Sequence, residues 1–174
     1  IMRPFIGDAF TDDEFREIIH EAARLQLGVL IYSQHPRSGL GQRQNINVWI
    51  RNRSPHWKIS WDIGNLDLSI LVAYKLKKNW EAQIRLVTVV DDQEQEKQAY
   101  GFMSELIDLA RLPKTSTVVH VGAFNDYVLA APAADLTLFG LAPEPDFRFM
   151  ERMVENTHTT CLFIRDSGLE NILA

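Results

Sequence analysis

Apolar residues along this chain follow two rhythms, a three-and-four spacing and an alternation of two, and the rhythms take turns from one end to the other. Thr11-Asp12-Asp13-Glu14 has the Thr-x-x-Glu spacing in which a hydroxyl and a carboxylate satisfy the free amides of a helix start. Phe15, Ile18, Ile19, Ala22, Ala23 and Leu25 then recur at helical spacing, which predicts a helix from about Asp12 to Gln26, ending near Gly28. Val29 to Tyr32 is a short run of β-forming residues before a polar turn and predicts a buried strand. After a Gly, Gln, Asn and Arg loop, Ile46, Val48 and Ile50 alternate with Asn47 and Trp49 and predict a second strand.

The second half repeats this order. Asn65 or Asp67 can cap a helix carrying Leu66, Ile70, Leu71, Tyr74 and Leu76, and Lys75, Lys77 and Lys78 suit its negative carboxyl end. Ile84 to Val90 is the clearest strand, stopped by Asp91-Asp92. The next helix has Ala99, Phe102, Met103, Leu106, Ile107 and Ala110 on one face and ends at Pro113. Strands are expected at Val118 to Val121 and Leu136 to Phe139, joined by an Ala-rich connection from Ala123 to Ala134. A helix over about Asp146 to Asn156, a strand at Cys161 to Ile164 and a short helix from Gly168 to Ala174 complete the series. Near-continuous apolar strands alternating with amphipathic helices predict an α/β fold: a doubly wound, mostly parallel open sheet with helices on both faces. The 174 residues suit one domain, 1–174.

Composition narrows the function. A formal charge of −5, from 18 basic and 23 acidic residues, withholds the positive field that a phosphate backbone needs, so nucleic acid is not an expected partner. His35 to Lys58 is a local exception, with Arg37, Arg43, Arg51, Arg53 and Lys58 and no acid. Cys161 is the single cysteine and lies in an apolar run, where burial would leave its thiol inert. No stretch reads as a spanning helix, and no basic start leads into an apolar run as a secretory signal would.

Candidate chemistry is sparse. Gly39-Leu40-Gly41 follows a strand, but it lacks a third glycine and precedes a strand, so it reads as a flexible loop in preference to a phosphate cradle. His20, His35, His56, His120 and His158 have no metal-ligand spacing, and no Gly-x-Ser-x-Gly elbow exists. The sequence therefore predicts no catalytic residue, no cofactor-binding residue and no metal. Asp91-Asp92 stands at the carboxyl end of a strand, where open α/β sheets bind ligands, but it also fits a strand stop and helix cap. Pairing His120 with Asp91 would be the minimum for a hydrolase or transferase. Trp49, Trp57, Trp61 and Trp80 cluster between residues 49 and 80. Trp49, Arg51, Arg53, Trp57 and Trp61 are the candidate interface with another chain or domain, against simple packing of a long loop on the sheet.

Several segments resemble the cytoplasmic C-terminal domain of prokaryotic cation–chloride cotransporters, within the amino acid–polyamine–organocation superfamily. They are Asn47-Val48-Trp49-Ile50, Asn65 to Ala73, Trp80 with Ile84 to Val90, Ala134 to Pro143, and Thr160 to Gly168. The resemblance implies two α/β units related to universal stress proteins, of which this chain holds the later part, with residues 1–26 as a helix carried over from a preceding subdomain. It further implies a cytosolic regulatory or assembly domain at the cytoplasmic face of the cell membrane, with the transmembrane domain of the same polypeptide as partner, a homodimer, and no catalysis. ATP binding does not carry over, because Gly122 is the only glycine after Val121 until Gly140. The alternative is a free-standing universal-stress-protein-like domain that binds a nucleotide or metabolite.

Overall fold

The computed structural model describes residues 11–60, 63–112 and 114–173. In chain order the elements are α1 (Asp12–Arg24), β1 (Val29–Ser33), β2 (Asn45–Trp49), α2 (Leu66–Trp80), β3 (Gln83–Val90), α3 (Gln93–Leu109), β4 (Thr115–Val121), α4 (Phe124–Ala130), β5 (Leu136–Gly140), α5 (Phe147–Thr157) and β6 (Thr160–Arg165). The caps explain where the helices start. Both halves of the Thr11–Glu14 capping box form, Asp92 accepts from the Gln95 amide before α3, and Asp146 accepts from the Phe149 amide before α5.

The six strands form one sheet in the order β1-β6-β5-β2-β3-β4. Every pairing is parallel except β1 with β6, where Val29 to Ser33 run antiparallel against Arg165 to Cys161. From β2 the chain winds outward through α2, β3, α3 and β4, then returns across the sheet to β5 and winds the other way. Two opposite winding directions with one crossover hand put their helices on opposite faces. Two cores result. Leu66, Ile70 and Ala73 of α2 and Phe102, Met103 and Leu106 of α3 cover one face. Phe15 and Ile19 of α1, Val128 of α4 and Phe147, Met150 and Val154 of α5 cover the other.

Three local expectations change. The Ala-rich connection contains α4, which spans two turns and buries only Val128, too little for a period to show. Asn65 occupies the cap position of α2 but makes no side-chain cap bond. The expected helix from Gly168 does not form among the described residues of the tail. Gly168 has a φ of +80°, and the Ile172 and Leu173 amides donate to the side chains of Asp67 and Asn171 instead of to a preceding turn. So short a stretch cannot repay helix nucleation on its own. Pro113 and Ala174 lie outside the described residues.

The amino ends of the parallel strands are tied by Asp135. Its carboxylate accepts from the amides of Gln42 at 2.8 Å and of Gln44 and Asn45 at 2.9 Å each. The loop containing Gly39 and Gly41 is thereby folded onto the start of β2 and β5.

Candidate functional site

β2 and β5 are neighbours whose connections leave in opposite directions, one into α2 and the other into α5. The chain must part beyond their carboxyl ends, and in open α/β sheets such a crevice is where ligands bind. Here it is a cleft of about 650 Å³. The residues leaving β2, β3, β4 and β5 and the first turns of α2 and α5 line it.

One side of the cleft is aromatic. Trp49 stacks on Phe139 at 5.7 Å between ring centres and meets Phe124 edge-on at 5.2 Å, and Phe124 in turn stacks on Phe149 at 6.3 Å. Ile50, Ile63, Leu66, Val89 and Leu141 extend the apolar surface. The polar groups are few and mostly committed. Asn65 donates through Nδ2 to the Leu141 carbonyl at 2.6 Å and accepts at Oδ1 from the Asp166 amide at 3.1 Å, fastening the exits of β5 and β6 to the start of α2. Ser69 donates to the Asn65 carbonyl at 2.6 Å. Asn52 donates to Asp91 at 3.3 Å across the ends of β2 and β3.

Trp49, Arg51 and Arg53 of the candidate interface all line this cleft. Trp49 is 7% exposed, and its indole N–H has no hydrogen-bond partner among the described residues. Arg53 lies 5.2 Å over the Phe102 ring and donates to the Ile63 carbonyl at 3.2 Å, so its guanidinium is held in place. Arg51 is exposed. Trp57 is elsewhere, buried edge-on against Phe102 at 5.7 Å in the core that covers α2 and α3. Core packing accounts for that ring. Trp61 lies outside the described residues.

The remaining candidates separate. Asp91 is at the cleft, whereas Asp92 is occupied as the α3 cap, and its bonds to the Gln95 amide and side chain hold its carboxyl below the usual range although burial opposes them. Gly39 and Gly41 sit at the opposite end of the strands under Asp135. His120 stacks flat on Tyr127 at 4.0 Å and does not line the cleft. Among the described residues no group of three His, Cys, Asp or Glu is placed to hold a metal ion. The described lining brings together no nucleophile and base, since its hydroxyl, Ser69, is engaged and no histidine is present.

Cys161 is fully buried beside Thr157 and Thr159. Burial pushes its thiol up to about 12, against the weaker opposing effect of the two hydroxyls. Ellman's reagent is therefore expected to leave the native chain unlabelled at pH 8 and to label it stoichiometrically in denaturant. Labelling at the rate of a free thiol would refute this placement.

The sequence did not reveal Phe124, Phe139 and Phe149 as one wall, because they come from three elements whose adjacency depends on strand order. The signal available was position alone, each standing at or just past a strand end or in a first helical turn.

Comparison with known proteins places the chain as follows. Residues 41–173 match the family model described as prokaryotic cation-chloride cotransporter, C-terminal domain, 2nd. A solved structure, the crystal structure of the cytoplasmic domain of a prokaryotic cation chloride cotransporter, is similar at 38% identity and a TM-score of 0.89. That likeness covers 99% of this chain and 64% of the other. No curated protein matches.

Proposed function

We propose a function from one premise: this chain belongs to the family of prokaryotic cation–chloride cotransporter C-terminal domains. On that reading it is the cytosolic regulatory and assembly part of a secondary transporter, it works beside the transmembrane domain of the same polypeptide, and it does no catalysis itself. The likeness over 99% of the chain to a cytoplasmic transporter domain carries the proposal. The cleft supports the non-catalytic part through the character of its described lining, which is largely apolar, with Asn52, Arg53, Asn65 and Ser69 engaged by neighbouring groups. No helix among the described residues is long and apolar enough to cross a membrane.

The same premise bears on domain organisation. The matching family model is that of a second C-terminal domain and starts at residue 41, after α1 and β1. This favours residues 1–174 as the later part of a longer cytosolic region, with 1–26 carried over from a preceding subdomain. Exposed Leu25, Leu27 and Leu169, each more than half exposed, offer apolar surface for such a neighbour or for a second copy.

Assembly is the part most directly tested. Sedimentation velocity over a wide concentration range is expected to show a monomer–dimer equilibrium. A strict monomer at the highest concentration would remove the assembly role and leave the family membership intact.

A further inference from the structure

The cleft has a chemical character that the transporter reading does not use. Its aromatic side has little polar interruption, and the half-buried Phe124 and Phe149 rings are its accessible part, backed by the buried Trp49 and Phe139, which suits an apolar aromatic body. Among the described residues its charged lining is two arginines against one aspartate. Arg53 is held by the Phe102 ring and the Ile63 carbonyl, whereas Arg51 is exposed and has no polar partner among the described residues. A guanidinium offers several N–H donors in a planar fork matched to a carboxylate or sulfonate.

We propose that this cleft binds a small organic anion with one flat apolar body and one singly charged carboxylate or sulfonate, the body against the Phe124 and Phe149 rings and the charge at Arg51. A nucleoside polyphosphate fits less well. Among the described residues its several charges would meet two cations, Asp91 stands at the same mouth, and the described lining has no glycine-rich turn to bring backbone amides to a polyphosphate. The inference goes beyond the transporter-domain reading and does not rest on it, since a monomeric chain would still bind the anion and a dimer could fail to.

The test is an NMR titration of the isotopically labelled 174-residue chain with naphthoate, with uncharged naphthylmethanol and with ATP. Naphthoate is expected to saturate one site and to shift the amides of Arg51 and Ala123. The uncharged alcohol is expected to bind about tenfold more weakly, the loss typical of one charge-assisted hydrogen bond. Arg51→Ala should weaken naphthoate by a similar factor and leave the alcohol unchanged. Arg37→Ala, on the exposed loop at the amino ends of the strands, should change neither. Ala123→Trp, at an exposed lining position, should block both while the dispersed spectrum reports an intact fold. Equal affinity for acid and alcohol, tighter binding of ATP than of naphthoate, no effect of Arg51→Ala, or no saturable shift at millimolar naphthoate would each overturn the proposal.

Discussion

Gly41→Ala is expected to lower the free energy of unfolding by about 3 kcal/mol, the sum of a left-handed backbone and a displaced carboxylate. Gly41 has a φ of +50°, where an L side chain is strained. A Cβ at that position would collide with Asp135 Oδ1 and would also stand 3.2 Å from Asp135 Cβ, so turning the carboxylate aside does not clear the space. The same carboxylate holds the Gln42, Gln44 and Asn45 amides, and moving it releases all three. A double-mutant cycle with Asp135→Ala separates the two causes. In that background the carboxylate's share is gone, and the backbone strain and the tight contact with the remaining Cβ at position 135 should together cost about 1 kcal/mol, leaving a coupling of about 2 kcal/mol. Urea unfolding of the four proteins measures it, and additive effects would show that Gly41 and Asp135 do not meet.

Asp67→Ala should cost about 3 kcal/mol, because a buried carboxylate that accepts from backbone amides leaves unsatisfied donors behind. Asp67 is 1% exposed and accepts from the Ile63 amide at 3.2 Å and the Ile172 amide at 2.9 Å. Ile172 and Leu173 pack against the core beneath it, so the loss is expected to free the tail as well. Hydrogen exchange should then rise at Ile172 well before the sheet amides exchange. Asp67→Asn keeps one acceptor but turns an amino group toward the other donor, and it should fall between the native chain and the alanine variant. A tail amide that exchanges equally in all three would sink the claim that Asp67 anchors it.

Periodicity conveyed the fold well where an element had a full stripe to bury. The α1 capping box, the β3 run and the apolar face of α3 are each fixed by residues within one window, and all three form where the pattern predicts. It failed where the deciding partner is distant. Asn65 reads as a cap, yet its amide is spent on Leu141 and Asp166, 76 and 101 positions away. The tail reads as helical, yet its amide goes to Asp67. The cleft was half legible, because Asp91 and the Trp49 and Arg51 segment stand at strand ends. Its completion needed the β5-β2 adjacency, which no local pattern encodes. Trp57 shows the converse limit, since a tryptophan in a polar stretch can still reach a core through Phe102.

The antiparallel pairing of β1 with β6 also decides how the sheet would carry mechanical load. Val29, where the chain enters the sheet, lies opposite Arg165, where it leaves. A pull on those two points would meet the ladder at its end and open it like a zipper, one pair of bonds at a time, whereas the parallel strands behind it would be loaded only after that first pair had come apart.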